Sequence, residues 1–219
     1  MGTVIADFEQ AEHHAISATY PSTRIQGCLF HFKQCLVRRF QRIPEYTTKP
    51  LVKERLHYLF GLAFIPEDDV ISAWAVLKPL LLRDPILLPI MDSVRPIFDY
   101  MDTTWMDGLY KVEMWNVYDA VLSDSPRTNN YSEGNNSALN AEAGCSHPGV
   151  PRLLEILKRF NEDADAAIMF AITGAETELV RKRDARCVQL NERIKRAVSF
   201  YGKLSVLMYC KSLGSLNYV

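Results

Sequence analysis

The chain has 219 residues, 48% of them hydrophobic and 23% charged, which excludes a disordered protein and leaves room for one domain, or one domain with an insertion. No stretch reaches the roughly 20 uninterrupted apolar residues of a membrane span, and MGTVIADFEQ has no basic stretch before an apolar run, so it does not read as a signal peptide. The net charge of −1 hides a segregation: residues 24–57 hold eight Lys/Arg against two Asp/Glu, residues 66–124 hold four against eleven, and residues 152–203 hold eleven against eight.

Thr3-Val4-Ile5-Ala6 is short, apolar and β-branched, and it predicts a strand ending at Asp7. Phe8, Ala11, Ala15 and Ile16 repeat at helical spacing, predicting a helix over 8–18 that Tyr20-Pro21-Ser22 stops. Residues 24–30 form a second apolar strand candidate, broken by Gly27. Residues 32–42 carry a helical stripe of Phe32, Cys35, Leu36, Arg39 and Phe40 and end before Pro44. This opening alternation is that of an α/β sheet.

The alternation then stops, and residues 43–122 read as an all-helical block. A helix is predicted over 49–62. Pro66 and the acids Glu67, Asp68 and Asp69 start another that runs through Val70–Leu82. A further helical region covers 86–105, interrupted at Pro89 and Pro96. SDSPRTNNYSEGNN (123–136) is loop-like and leads into a polar helix beginning near Asn130 or Ser132. His147-Pro148-Gly149-Val150-Pro151 is a break. Residues 152–172 then form an amphipathic helix with Leu153, Leu154, Ile156, Leu157 and Phe160 on its apolar face. Residues 176–208 read as one long basic helix. Its cations Arg181, Lys182, Arg183, Arg186, Arg193, Lys195 and Arg196 are mixed with Glu176, Glu178, Asp184 and Glu192, the pattern of a solvated face.

Three features carry candidate chemistry. Asp7 at the end of a short strand can cap the next helix, the reading its position favours, or hold a metal. Cys28 and His31 stand three apart, as in half of a zinc site. The other half would have to be Cys145 and His147, so a buried thiol and a hydrogen-bonded imidazole is the plainer reading. Glu133, after Arg127-Thr128-Asn129-Asn130, sits where a carboxylate either complements a helix dipole or enters a metal site. Five irregularly spaced cysteines suit a reducing compartment better than a disulfide framework.

Taken together and in order, these residues resemble the second half of the catalytic core of Mutator-like element (MULE) transposases. ADFEQA matches the segment with that family's strand-end Asp, GCLFH its "GC-x-FH" element, and RTNNYSE the segment holding its catalytic Glu. LAFIPEDDVISAW and HPGVPRLLEILK are similar to versions found beside FLYWCH-type zinc fingers in animals. The resemblance spans most of residues 3–170.

It implies an α/β, mostly helical chain: part of an RNase H-like fold of the DDE type, with two strands remaining and an all-α insertion. The implied parts are 1–42 and 123–172 for the core, 43–122 for the insertion and 173–219 for a helical extension. It implies Asp7 and Glu133 as catalytic ligands of Mg²⁺ or Mn²⁺, with Cys28 and His31 as a structural pair and zinc left open. It implies Lys33, Arg38, Arg39, Arg42 and Arg127 as DNA contacts. DNA is the implied partner, a homo-oligomer is allowed, and the implied location is the nucleus.

Two departures stand out. The family's first catalytic Asp precedes the matched region, and this chain starts only six residues before Asp7. After the Glu, relatives carry an aromatic and a His where this chain has Gly134-Asn135-Asn136. The expectation is therefore a truncated or derived transposase that binds DNA but has lost phosphodiester cleavage and strand transfer in transposition and DNA recombination. A non-catalytic helical protein-interaction module is the alternative.

Overall fold

A computed structural model of the chain describes residues 2–145, 147–173 and 185–216. The protein is mostly helical, with one small parallel sheet. Strand β1 (Thr3–Ala6) pairs with β2 (Arg24–Gly27) in the register Thr3↔Arg24 to Ala6↔Gly27. Parallel strands require a crossover, supplied here by helix α1 (Gln10–Thr19). The described residues divide into two compact units, Met1–Asn129 with Gln189–Val219, and Asn130–Val188. The sheet and the all-helical block therefore share one unit.

In the first unit, helix α2 (Leu29–Phe40) buries Phe32, Leu36 and Phe40, spaced four apart and so aligned on one face. Short helices α3 (Pro44–Thr48) and α4 (Pro50–His57) each begin on a proline, whose fixed φ and missing N–H suit a first turn. The predicted helix over 49–62 tightens to 3₁₀ geometry over Tyr58–Phe64, every residue of which is buried.

Helix α5 (Val70–Leu82) passes through Pro79, and α6 (Met91–Tyr100) passes through Pro96. The expected break at Pro96 is thus absent, because packing of Val94, Ile97 and Phe98 holds the helix together. A wide π turn follows over Met101–Met106. Helices α7 (Val112–Trp115) and α8 (Tyr118–Leu122) complete the block.

Aromatic rings form its centre. Phe32 stacks on Trp115 at 4.9 Å, and Trp105 meets Phe32 edge-on at 4.8 Å. The Trp115 indole donates to the Trp105 carbonyl at 2.9 Å, which satisfies its one buried polar atom. Asn116 fastens the sheet to this block. Its backbone oxygen accepts from the Gln26 side chain at 3.2 Å, and its amide nitrogen donates to the Ile65 carbonyl at 2.7 Å.

The predicted long helix over 176–208 is not continuous, and its portion 176–184 lies outside the described residues. Helix α11 (Ala185–Val198) ends before a turn holding Gly202 at φ 76°, and α12 (Val206–Gly214) starts anew, with the Ser205 hydroxyl accepting from Met208 N at 3.4 Å. Apolar periodicity runs through this turn without registering the glycine. Helix α12 lies against the 58–64 segment at a distance that only glycine permits. A Cβ at Gly61 would stand 2.6 Å from Cys210 Cα, and one at Gly214 would stand 2.4 Å from the His57 carbonyl oxygen.

The second unit contains α9 (Asn130–Ala143) and α10 (Val150–Ile172). Glu142 links them, pairing with Arg159 and accepting from Arg152 at its carbonyl at 3.3 Å. Of the predicted apolar face of α10, Ile156 is buried, while Leu154 and Leu157 are exposed.

Candidate functional site

The carboxyl ends of the two strands bring together residues far apart in the sequence. Register pairs Ala6 with Gly27, so Asp7 and Cys28 leave the sheet side by side, and Cys28 N donates to the Ala6 carbonyl at 2.8 Å. The next amide, Leu29 N, donates to the Arg127 carbonyl at 2.9 Å and draws the 127–129 segment onto the same edge. Cys28 is the N-cap residue of α2, which places His31 one turn into that helix, facing the Asp7 carboxylate.

The Asp7 carboxylate is the hub. His31 Nδ1 lies 2.7 Å from Asp7 Oδ1, and Asn129 Nδ2 donates to the same oxygen at 2.8 Å. Asp7 does not cap α1. The N-cap position there is Glu9, which makes no side-chain cap bond. The carboxylate turns instead toward the sheet edge, where an amide and an imidazole compete for it. His13, buried on α1, binds the Asp7 carbonyl at 2.6 Å through Nε2 and fixes the backbone at this point.

Cys28 is fully buried, and burial pushes its thiol above the ordinary range, opposed by the backbone amides of Asn129, His31 and Phe30. The Asp7 oxygen, Cys28 sulfur and His31 nitrogen all lie within 4.8 Å of one another. Asn129 Oδ1 is buried and has no hydrogen-bond partner among the described residues.

Gly27 allows this arrangement. A Cβ there would stand 2.3 Å from Phe8 Cζ. The Phe8 ring occupies that space, meeting Trp105 at 4.8 Å and Tyr110 at 4.9 Å, while Tyr110 donates its hydroxyl to the Phe8 carbonyl at 2.5 Å. The residue after Asp7 is thereby anchored to the helical block.

Glu133 lies in the first turn of α9, exposed, in the second unit. Cys145 and His147 are also exposed in that unit. Asn129 was not singled out from sequence, although it is the first of two adjacent asparagines in the matched RTNN segment. Only the turn toward β1 distinguishes it from Asn130.

The cations of α2 differ among themselves. Arg38 and Arg42 are exposed. The Arg39 guanidinium stacks 3.3 Å from the Tyr100 ring centroid. Arg127 donates to the Asn191 side chain. Lys33 is buried, its ammonium 4.8 Å from the Phe60 ring centroid, and burial lowers its pKa to about 7. It lines an open cavity of about 580 Å³ with Arg38, Lys53, Tyr46, His57 and Phe60. His57 accepts from or donates to the Tyr46 hydroxyl at 2.9 Å, and burial, with Lys53 and Lys33 nearby, lowers its pKa to about 4.

The two ions implied by the resemblance take oxygen ligands. Around Asp7 the donors are one carboxylate, one thiol, one imidazole and an amide, and sulfur and imidazole do not suit Mg²⁺ or Mn²⁺. These residues do not fit a pair of such ions.

No family model matches the chain, and no curated protein or solved structure is detectably similar to it. No helix among the described residues is long and apolar enough to cross a membrane.

Proposed function

We propose that the protein is a DNA-binding derivative of a MULE-type transposase core, in which phosphodiester cleavage and strand transfer are lost. In this reading β1 and β2 belong to an RNase H-like sheet. One observation carries it: Asp7, the Cys28–His31 pair and Asn129 converge at the end of the sheet, although Asp7 and Asn129 stand 122 residues apart. Three of the segments that suggested the family are thus the segments that meet. Loss of cleavage is read from Gly134-Asn135-Asn136, which stand after Glu133 where relatives carry an aromatic and a His.

Exposed Arg38, Arg42, Lys49 and Lys53 on α2 to α4 supply positive charge for a phosphate backbone. Four phosphate contacts would give log K against log salt a slope of roughly −3.6 on duplex DNA. The test is anisotropy of a labelled random duplex titrated across several salt concentrations. Arg38→Glu with Arg42→Glu should flatten the slope by about 2. Absence of salt-sensitive binding would sink the proposal.

The alternative, a protein-interaction module, has its own support. Helix α10 exposes Leu154, Leu157, Ile168, Met169, Phe170 and Ile172, more apolar surface than a solvated helix requires. It predicts nuclease-resistant capture of a protein partner, lost on Leu157→Asp with Phe170→Asp, and no affinity for duplex DNA.

A further inference from the structure

We infer that Asp7, Cys28 and His31, with Asn129 hydrogen-bonded to Asp7, form a binding site for a single Zn²⁺ ion. The inference rests on the donors alone and stands whether or not the chain binds DNA.

A zinc site takes sulfur, imidazole or carboxylate donors, four around one point when closed or three with the fourth position open. In sequence only half of such a set is visible, the C-x-x-H pair, and the nearest second pair is Cys145 with His147. The fold supplies the second half differently. Asp7 enters from the neighbouring strand end, and its oxygen lies with the sulfur and the imidazole nitrogen inside 4.8 Å.

One further observation points to a bound group. The Asn129 carbonyl oxygen is buried beside these donors with no partner among the described residues, an arrangement that costs free energy unless something accepts its lone pairs. Its amide nitrogen is already tied to Asp7, so the oxygen is left to meet whatever fills the ion's fourth position. One thiolate, one imidazole and one carboxylate suit Zn²⁺, a borderline-soft ion without geometric preference, better than Mg²⁺ or Ca²⁺. The site is also held by backbone rather than by flexible loops: β-register sets Asp7 against Cys28, the first turn of α2 sets His31, and the Leu29–Arg127 bond sets Asn129.

The test is elemental analysis of the full chain purified under reducing conditions without chelator, followed by replacement with Co²⁺. About one zinc per chain is expected, together with a near-ultraviolet thiolate-to-Co²⁺ charge-transfer band that excess Mg²⁺ does not remove. Cys28→Ser should abolish the band. His31→Gln, at a partly exposed position whose loss leaves the core intact, should weaken zinc binding more than about 100-fold, and Asn129→Ala about 10- to 100-fold. Cys145→Ser with Cys187→Ser, the two exposed cysteines, should leave both zinc and band unchanged. A folded wild-type chain with no zinc and no Co²⁺ band overturns the inference, as does metal lost with Cys145 and Cys187 but kept in the Cys28 and His31 variants. DNA binding is measured separately, so failure of one proposal leaves the other readable.

Discussion

Replacing Lys33 with methionine should stabilise the protein at neutral pH and lose that advantage as the pH rises. The side chain is 6% exposed, under Phe60, and its pKa falls from 10.5 to about 7 on folding. Between these values the unfolded chain holds the proton and the folded chain does not. Stability contributed through this group therefore rises with pH from about 7 to about 10.5, and is lowest at and below pH 7. From the two pKa values, the cost of keeping this lysine is on the order of 4 kcal/mol at pH 7.5 and about 1.4 kcal/mol at pH 9.5. The wild type should close on Lys33→Met by roughly 2.5 kcal/mol over that interval. Methionine preserves the stem that packs on Phe60, so the charge is the main change. Urea unfolding of both proteins at half-unit pH steps between 7.5 and 9.5 gives the difference directly, since His57, which Lys33 also perturbs, stays neutral across that interval. A difference that does not vary with pH, or a methionine variant less stable at pH 7, would refute the reasoning.

Gly27→Ala should destabilise by about 1–3 kcal/mol, because the Phe8 ring must leave its place against Trp105 and Tyr110. Thermal melts with near-UV circular dichroism would show both the loss and the altered aromatic packing. Phe32→Ala removes a fully buried ring stacked on Trp115 and should cost about 3–5 kcal/mol in denaturant unfolding. His57 holds a pKa near 4 when folded, against 6.5 ordinarily. The stability it contributes is complete above about pH 6.5 and is lost as the pH falls toward 4, so His57→Gln should flatten acid unfolding in that window. An unchanged acid limb would contradict it.

The parts of the fold set by local chemistry were legible in the sequence. The Thr3–Ala6 strand needed only β-branched residues and a following acid, and Val70–Leu82 needed only its proline-led acidic start. What failed was local punctuation overruled by packing, or missed by it. Pro96 sits inside α6 because its neighbours are buried, whereas Gly202 breaks a run whose periodicity looked continuous. The site was half legible. Cys28 and His31 announce each other by spacing, but the carboxylate and amide that join them come through strand register and one backbone bond to Arg127, which no local pattern encodes.

The close seating of α12 on the 58–64 segment bears on the order in which the chain acquires its structure. Tyr209 donates its hydroxyl to the Phe64 carbonyl across 145 residues, and Cys210 rests on Gly61. During synthesis, Phe60, Leu62 and Phe64 leave the ribosome long before the helix that covers them. Contacts this distant in sequence slow folding, because their loop entropy is lost before they form. In the interval the 58–64 segment waits on a wall that arrives last. A nascent chain stalled before residue 206 should therefore be cut by protease around 58–64 and spared there once α12 has emerged.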